Sequence, residues 1–143
     1  MAKIKIKLTD SENNVYFLKK ERNTAVRTKA ENEATVFVQE KHTSTFGSGI
    51  KDAYYLKLDK GKVYLDQESK SGKVFFDEPN VSVKMSTIWA WKISDGYMCA
   101  VNKGDQIGTQ KISEATKTDE AQDEIWCKLL DQHKLYKVEW ITV

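Results

Sequence analysis

Three stretches of this chain run in parallel without a gap: VYFLKKERNTAV from Val15, AYYLKLDKGKVY from Ala53 and GYMCAVNKGDQI from Gly96. Each has a tyrosine second (Tyr16, Tyr54, Tyr97), then an apolar pair. Each reaches at its ninth position a residue type that tolerates a left-handed backbone: Asn23, Gly61 and Gly104. Polar pairs precede that position (Glu21–Arg22, Asp59–Lys60, Asn102–Lys103), as a type I turn closed by a bulge requires. Each stretch therefore predicts a β-hairpin with a shared turn. The repeat constrains the fold more than any local propensity, because one such unit cannot bury its apolar face without neighbours.

The echo extends upstream. Asp10, Asp52 and Asp95 end LTD, IKD and ISD, at spacings of 42 and 43 residues. Stepping back by twos gives Leu8, Ile6, Ile4; then Ile50, Ser48, Phe46; then Ile93, Trp91, Trp89. The alternate positions hold Lys7, Lys5, Lys3; then Gly49, Gly47, Thr45; then Lys92, Ala90, Ile88. Alternate residues of a strand face opposite sides, so each copy predicts a strand with an inner apolar row. Trp89 and Trp91 are expected in the core on this register. Further strands are expected at ATVFVQE (34–40), in KVFFDEPNVSVKM (73–85) with a break at Pro79, and at KLYKVEWITV (134–143). The segment 118–132 reads as an inserted helix, with Thr118 as cap, Asp119, Glu120, Asp123 and Glu124 early, and Ala121, Ile125, Leu129 and Leu130 at helical spacing. The rival reading makes EIWCKLL a strand.

Three lobes of about four strands, roughly 3–40, 44–86 and 87–143, resemble the β-trefoil family. That family includes ricin-type lectins, fascin-like actin binders, growth factors of the fibroblast kind and protease inhibitors. The resemblance implies a single all-β domain: a six-stranded barrel capped by three hairpins, with pseudo-threefold symmetry. DGYMCAV looks like the glycine–apolar–cysteine stretch of ricin-type lobes. The Gln-x-Trp of those lectins is missing, and Glu124-x-Trp126 is the nearest approach.

The function expected is non-enzymatic recognition, of a carbohydrate first and a protein partner as the alternative. Asn14, Asp52 and Asp95 each stand two residues before a repeated tyrosine, where a side-chain oxygen could accept hydrogen bonds from sugar hydroxyls. Tyr54, Tyr97 and Trp126 supply aromatic faces. The structural alternative is an Asx turn at each position.

A net charge of +2, with 31% charged and 40% hydrophobic residues, fits a globular chain and argues against nucleic acid as the ligand. Lys3, Lys5 and Lys7 on one outer face more often keep a strand soluble than track phosphates. His42 and His133 have no triad or metal spacing with Cys99 or Cys127, so neither catalysis, a metal nor a cofactor is expected. No apolar run has the length of a membrane span, and MAKIKIKLTD alternates where a signal peptide would be apolar. A cytoplasmic site, or export without a signal peptide, is the expectation, with a dimer as one possible assembly.

Overall fold

The computed structural model describes residues 2–41, 52–79, 88–103, 106–114, 123–127 and 134–143. The strands are β1 (Lys3–Thr9), β2 (Val15–Glu21), β3 (Thr24–Thr28), β4 (Phe37–Lys41), β5 (Tyr54–Leu58), β6 (Tyr64–Gln67), β7 (Val74–Asp77), β8 (Ala90–Ser94), β9 (Tyr97–Lys103), β10 (Gln106–Lys111), β11 (Ser113–Glu114), β12 (Ile125–Trp126) and β13 (Lys137–Thr142). A 3₁₀ turn at Glu31–Glu33 is the one helical element among the described residues.

All pairings are antiparallel. The order β1-β2-β3-β7-β6-β5-β4 returns to β1 and closes a seven-strand barrel. β1 shares one side between β4, at Lys3 and Ile4, and β2, at Lys7 to Thr9. Along its other side runs β13, from Ile4↔Thr142 to Thr9↔Lys137. β8 joins β5 through Tyr54↔Trp91, and β9 and β10 extend the sheet from β8. β11 and β12 form a separate pair.

This arrangement corrects the expected β-trefoil of three equivalent lobes around a six-stranded barrel. The ring that closes has seven strands, all drawn from residues 3–77, and the third segment attaches outside it. The hairpin strands β2–β3 and β6–β7 form barrel wall. The reason is physical: a repeated turn fixes each hairpin locally, whereas closure depends on which edges meet. The closing pairs Thr24↔Phe75 and Lys57↔Tyr64 lie outside the repeated apolar row.

The helix expected at 118–132 is corrected as well, within its described residues 123–127. There Ile125–Trp126 pairs with Ser113–Glu114, Glu124 bridges Val26 and Trp126 bridges Lys73. Ile125, Trp126 and Cys127 are consecutive and all buried, which a one-sided surface helix would not allow. Residues 118–122 and 128–132 of that segment lie outside the described residues. The strand expected within 134–143 is β13.

Ile4, Ile6 and Leu8 are fully buried while Lys3, Lys5 and Lys7 face outward, as the alternation requires. Leu18, Leu56, Leu65 and Met98 join them in one core, with Phe37 stacked on Phe76 at 6.0 Å. Burying a side chain of this kind contributes about 1.5–3 kcal/mol. Trp89 and Trp91 are buried too, and the Trp91 indole N–H donates to the Leu65 carbonyl at 2.9 Å. Phe46, Ser48 and Ile50 lie outside the described residues.

Asp66 ties the barrel to the start of β8. It is 2% exposed, and its Oδ1 accepts the backbone N–H groups of Gln67 at 2.9 Å and Trp89 at 3.1 Å. Burial pushes its carboxyl up to about 6, the two hydrogen bonds opposing the rise. No helix among the described residues is long and apolar enough to cross a membrane.

Candidate recognition site at the Asp95–Tyr97 hairpin

Asp95 and Gly96 both have positive φ, 54° and 84°, between the paired residues Ser94 and Tyr97. Two left-handed residues between paired strand ends make a tight hairpin whose twist matches the strands, and Asp-Gly is a favoured pair for it. Glycine suits the position by its positive φ, and the space beside it is tight. A Cβ at Gly96 would meet Lys137 Cδ at 3.3 Å, so the lysine chain lies directly across the turn. The Val138 N–H donates to the Gly96 carbonyl at 2.8 Å and docks the hairpin on β13.

Register then gathers the cations. Lys92 on β8 and Lys111 on β10 both pair with Cys99 on β9, so three adjacent strands place them on one face. Tyr97, two residues before Cys99, shares that face. The Lys111 Nζ stands 4.3 Å from the Tyr97 ring centroid and the Lys137 Nζ 4.2 Å. The Lys137 Nζ also lies 3.5 Å from the Asp95 carbonyl oxygen. Beside this cluster, Lys7, Thr9, Gly96, Lys137, Val138 and Glu139 line a shallow groove of about 320 Å³. Lys7 and Glu139 face each other across β1 and β13. Among the described residues, Lys7, Lys92, Lys111 and Lys137 form no ion pair.

The equivalent tyrosine of the first copy looks similar and is wired differently. The Arg27 guanidinium lies 4.3 Å from the Tyr16 ring centroid and the Lys29 Nζ 6.0 Å. Arg27, however, pairs with Glu114 and Asp123, each at 3.5 Å, and donates to the Tyr136 hydroxyl at 3.2 Å. Its backbone N–H donates to the Asp123 carbonyl at 2.8 Å. Burial raises the Glu114 carboxyl above its usual range, with the charge of Asp10 adding to the rise and that of Arg27 opposing it. Burial likewise raises the Tyr136 phenol.

Of the residues singled out in the sequence, Asp95 and Tyr97 flank Gly96, which lines the groove, and both meet Lys137. Asn14 lies in the exposed β1–β2 loop. Its backbone N–H and side-chain amide both donate to Asp10, at 2.8 and 3.1 Å, in an Asx-type turn that also takes the Glu12 N–H. Slight burial acts to raise the Asp10 carboxyl, but the bonds from Asn14 and Glu12 prevail and hold it below its usual value. Asp52 is exposed with φ 60°, and Tyr54 packs edge-on against Trp140 at 5.9 Å. Trp126 is 9% exposed on β12.

The left-handed turn expected at Gly61 is present, with φ 98°. In the first copy it falls on Arg22, φ 57°, one residue before the expected Asn23. Gly104 lies outside the described residues.

Lys7, Thr9, Lys111, Lys137 and Glu139 were not legible as site residues. Only Lys7 carried a signal, as one of the outer lysine row. The others reach Tyr97 or the groove through the β1–β13 and β9–β10 registers.

Cys99 and Cys127 are free and buried. Burial raises the Cys99 thiol, with Lys111 and Lys92 opposing, and pushes the Cys127 thiol up to about 12. Neither is poised as a thiolate nucleophile. Among the described residues, no three His, Cys, Asp or Glu side chains are grouped to hold a metal ion. No family model matches the chain, and no curated protein matches its sequence.

Proposed function

We propose that this protein is a non-enzymatic recognition module that takes a carbohydrate at the Tyr97 face. One observation carries the reading: a half-buried tyrosine beside a groove that presents ammonium donors (Lys7, Lys137), a hydroxyl (Thr9) and a carboxylate acceptor (Glu139) within one patch. Sugars present alternating hydroxyls and apolar ring faces, so mixed donors and acceptors next to an aromatic edge match them. The groove is shallow, which fits weak contact with a chain of sugars rather than enclosure of a small molecule. Avidity through several copies would then set the working affinity.

A glycan array probed with the full chain tests this. Binding to a defined set of glycans is expected, and Tyr97→Ala should abolish it while the chain keeps its unfolding midpoint. An array blank for every glycan would dismiss the carbohydrate reading. Retention of a protein partner whose capture ignores Tyr97→Ala would favour the protein-binding alternative.

A further inference from the structure

We infer that the ligand carries oxyanion groups, sulfate or carboxylate, and that Lys111 and Lys137 with Tyr97 form the subsite that receives one of them. This inference rests on the carbohydrate reading and narrows it. The argument begins with the two equivalent tyrosines. At Tyr16 the guanidinium over the ring is matched by Glu114 and Asp123, so the protein supplies its own counter-charges. At Tyr97 two ammonium groups approach one ring to 4.2 and 4.3 Å, and neither forms an ion pair among the described residues.

Two like charges held on one aromatic ring repel each other. At an exposed site the ring quadrupole offsets only part of that repulsion. An anion drawn to these ammonium groups offsets the repulsion and gains charge-assisted hydrogen bonds from them. Lys92 adds a third cation on the same face of the sheet, and Lys7 a fourth in the adjoining groove. Among the described residues, the carboxylates of this region are Asp95 on the turn and Glu139 in the groove. Against the four lysines they leave a positive excess among the described residues, and Glu139 stands opposite Lys7 in the groove.

Backbone geometry brings both lysines to the ring. Lys137 is laid across Gly96 and anchored toward the Asp95 carbonyl, while Lys111 is set by the β9–β10 register. Neutral saccharides meet Tyr97 with its ring already engaged by ammonium groups. They lack the charge that would draw those groups into new bonds.

Three polymers of one backbone separate the possibilities: dextran, dextran sulfate and carboxymethyl dextran, each titrated into the full chain. Binding to both anionic polymers is expected, about ten-fold or more over dextran. It should weaken steeply as salt rises from about 0.05 to 0.5 M, where screening shortens to a few ångströms. Lys111→Gln and Lys137→Gln should each lower affinity about ten-fold, and Lys111→Arg should restore most of it. Lys19→Gln, a surface lysine paired with Glu33 at 3.0 Å, should change nothing and controls for bulk charge.

Preference for only one anionic polymer still supports the subsite and identifies which oxyanion it takes. Equal losses from Lys19→Gln and Lys111→Gln would overturn it, since the attraction would then be diffuse. Equal binding of dextran and its charged forms would overturn the anion subsite and leave the carbohydrate reading standing. No binding to any of the three, with tight binding of a DNA oligonucleotide, would overturn both.

Discussion

Tyr16 and Tyr97 occupy the same place in their hairpins, and each holds two cations against its ring. What surrounds those cations differs. At Tyr16 the guanidinium is locked by two carboxylates, from β11 and the segment before β12, and by the buried phenol of Tyr136 just before β13, so the cluster fastens β3 to the later chain. At Tyr97 the ammonium groups have no carboxylate partner among the described residues and stand beside an open groove. The same local motif is a fastening where its charge partners are internal, and at Tyr97 it is the subsite proposed to receive an anion from outside.

The contrast can be broken by mutation, and the Tyr16 side should break hardest. Arg27→Ala removes a cation that is 16% exposed and leaves Glu114 and Tyr136 without it. A loss of about 2–3 kcal/mol in urea unfolding is expected, because the part-buried Glu114 carboxyl and the buried Tyr136 hydroxyl both lose their charged partner. A loss under about 0.5 kcal/mol would mean that the cluster fastens nothing.

Asp66 shows the effect of a buried carboxyl with no cation bonded to it among the described residues. Its folded pKa, about 6, lies above the ordinary unfolded value, so the folded state holds the extra proton between roughly pH 4 and 6. Its contribution to stability is full below pH 4 and lost as pH rises through 6. The span is on the order of 2–3 kcal/mol. Asp66→Asn should flatten that part of the pH–stability curve, read by thermal melts across the window. An unchanged slope would place the titration elsewhere.

Smaller effects belong to the Tyr97 side. Gly96→Ala forces a side chain into a left-handed turn against Lys137, and should cost about 1 kcal/mol. It should also weaken ligand capture, because Lys137 must shift. Smallest of all, Lys111→Gln and Lys137→Gln should alter stability by less than about 0.5 kcal/mol, measured by the same urea titrations. A larger loss at either would show that the Tyr97 lysines are structural after all.

Much of the local structure was legible in the sequence. The alternation Ile4–Ile6–Leu8 against Lys3–Lys5–Lys7 set the inner and outer faces of β1, and the same two-residue step put Trp89 and Trp91 inside. Gly61 marked a left-handed turn through its conformational freedom. The global arrangement was less accessible, because ring closure rests on long-range edges such as Thr24↔Phe75, which no period encodes. The segment around Trp126 misled for a related reason. Its acids and apolar spacing suit a helix, but burial of three consecutive residues against β11 overrides that propensity. At the site, Asp95 and Tyr97 were readable from the repeat. Lys111 and Lys137 are 14 and 40 positions beyond Tyr97, and only register brings them to its ring.

The difference between the two tyrosines can be watched directly by NMR, following the lysine ammonium groups, the Arg27 guanidinium and both tyrosine rings during titration with a short dextran sulfate. The account predicts saturable shifts at Lys111, Lys137 and Tyr97, with Tyr16 and Arg27 unmoved. Shifts at Arg27 and Tyr16 with Tyr97 silent, or equal shifts at lysines over the whole surface, would contradict it.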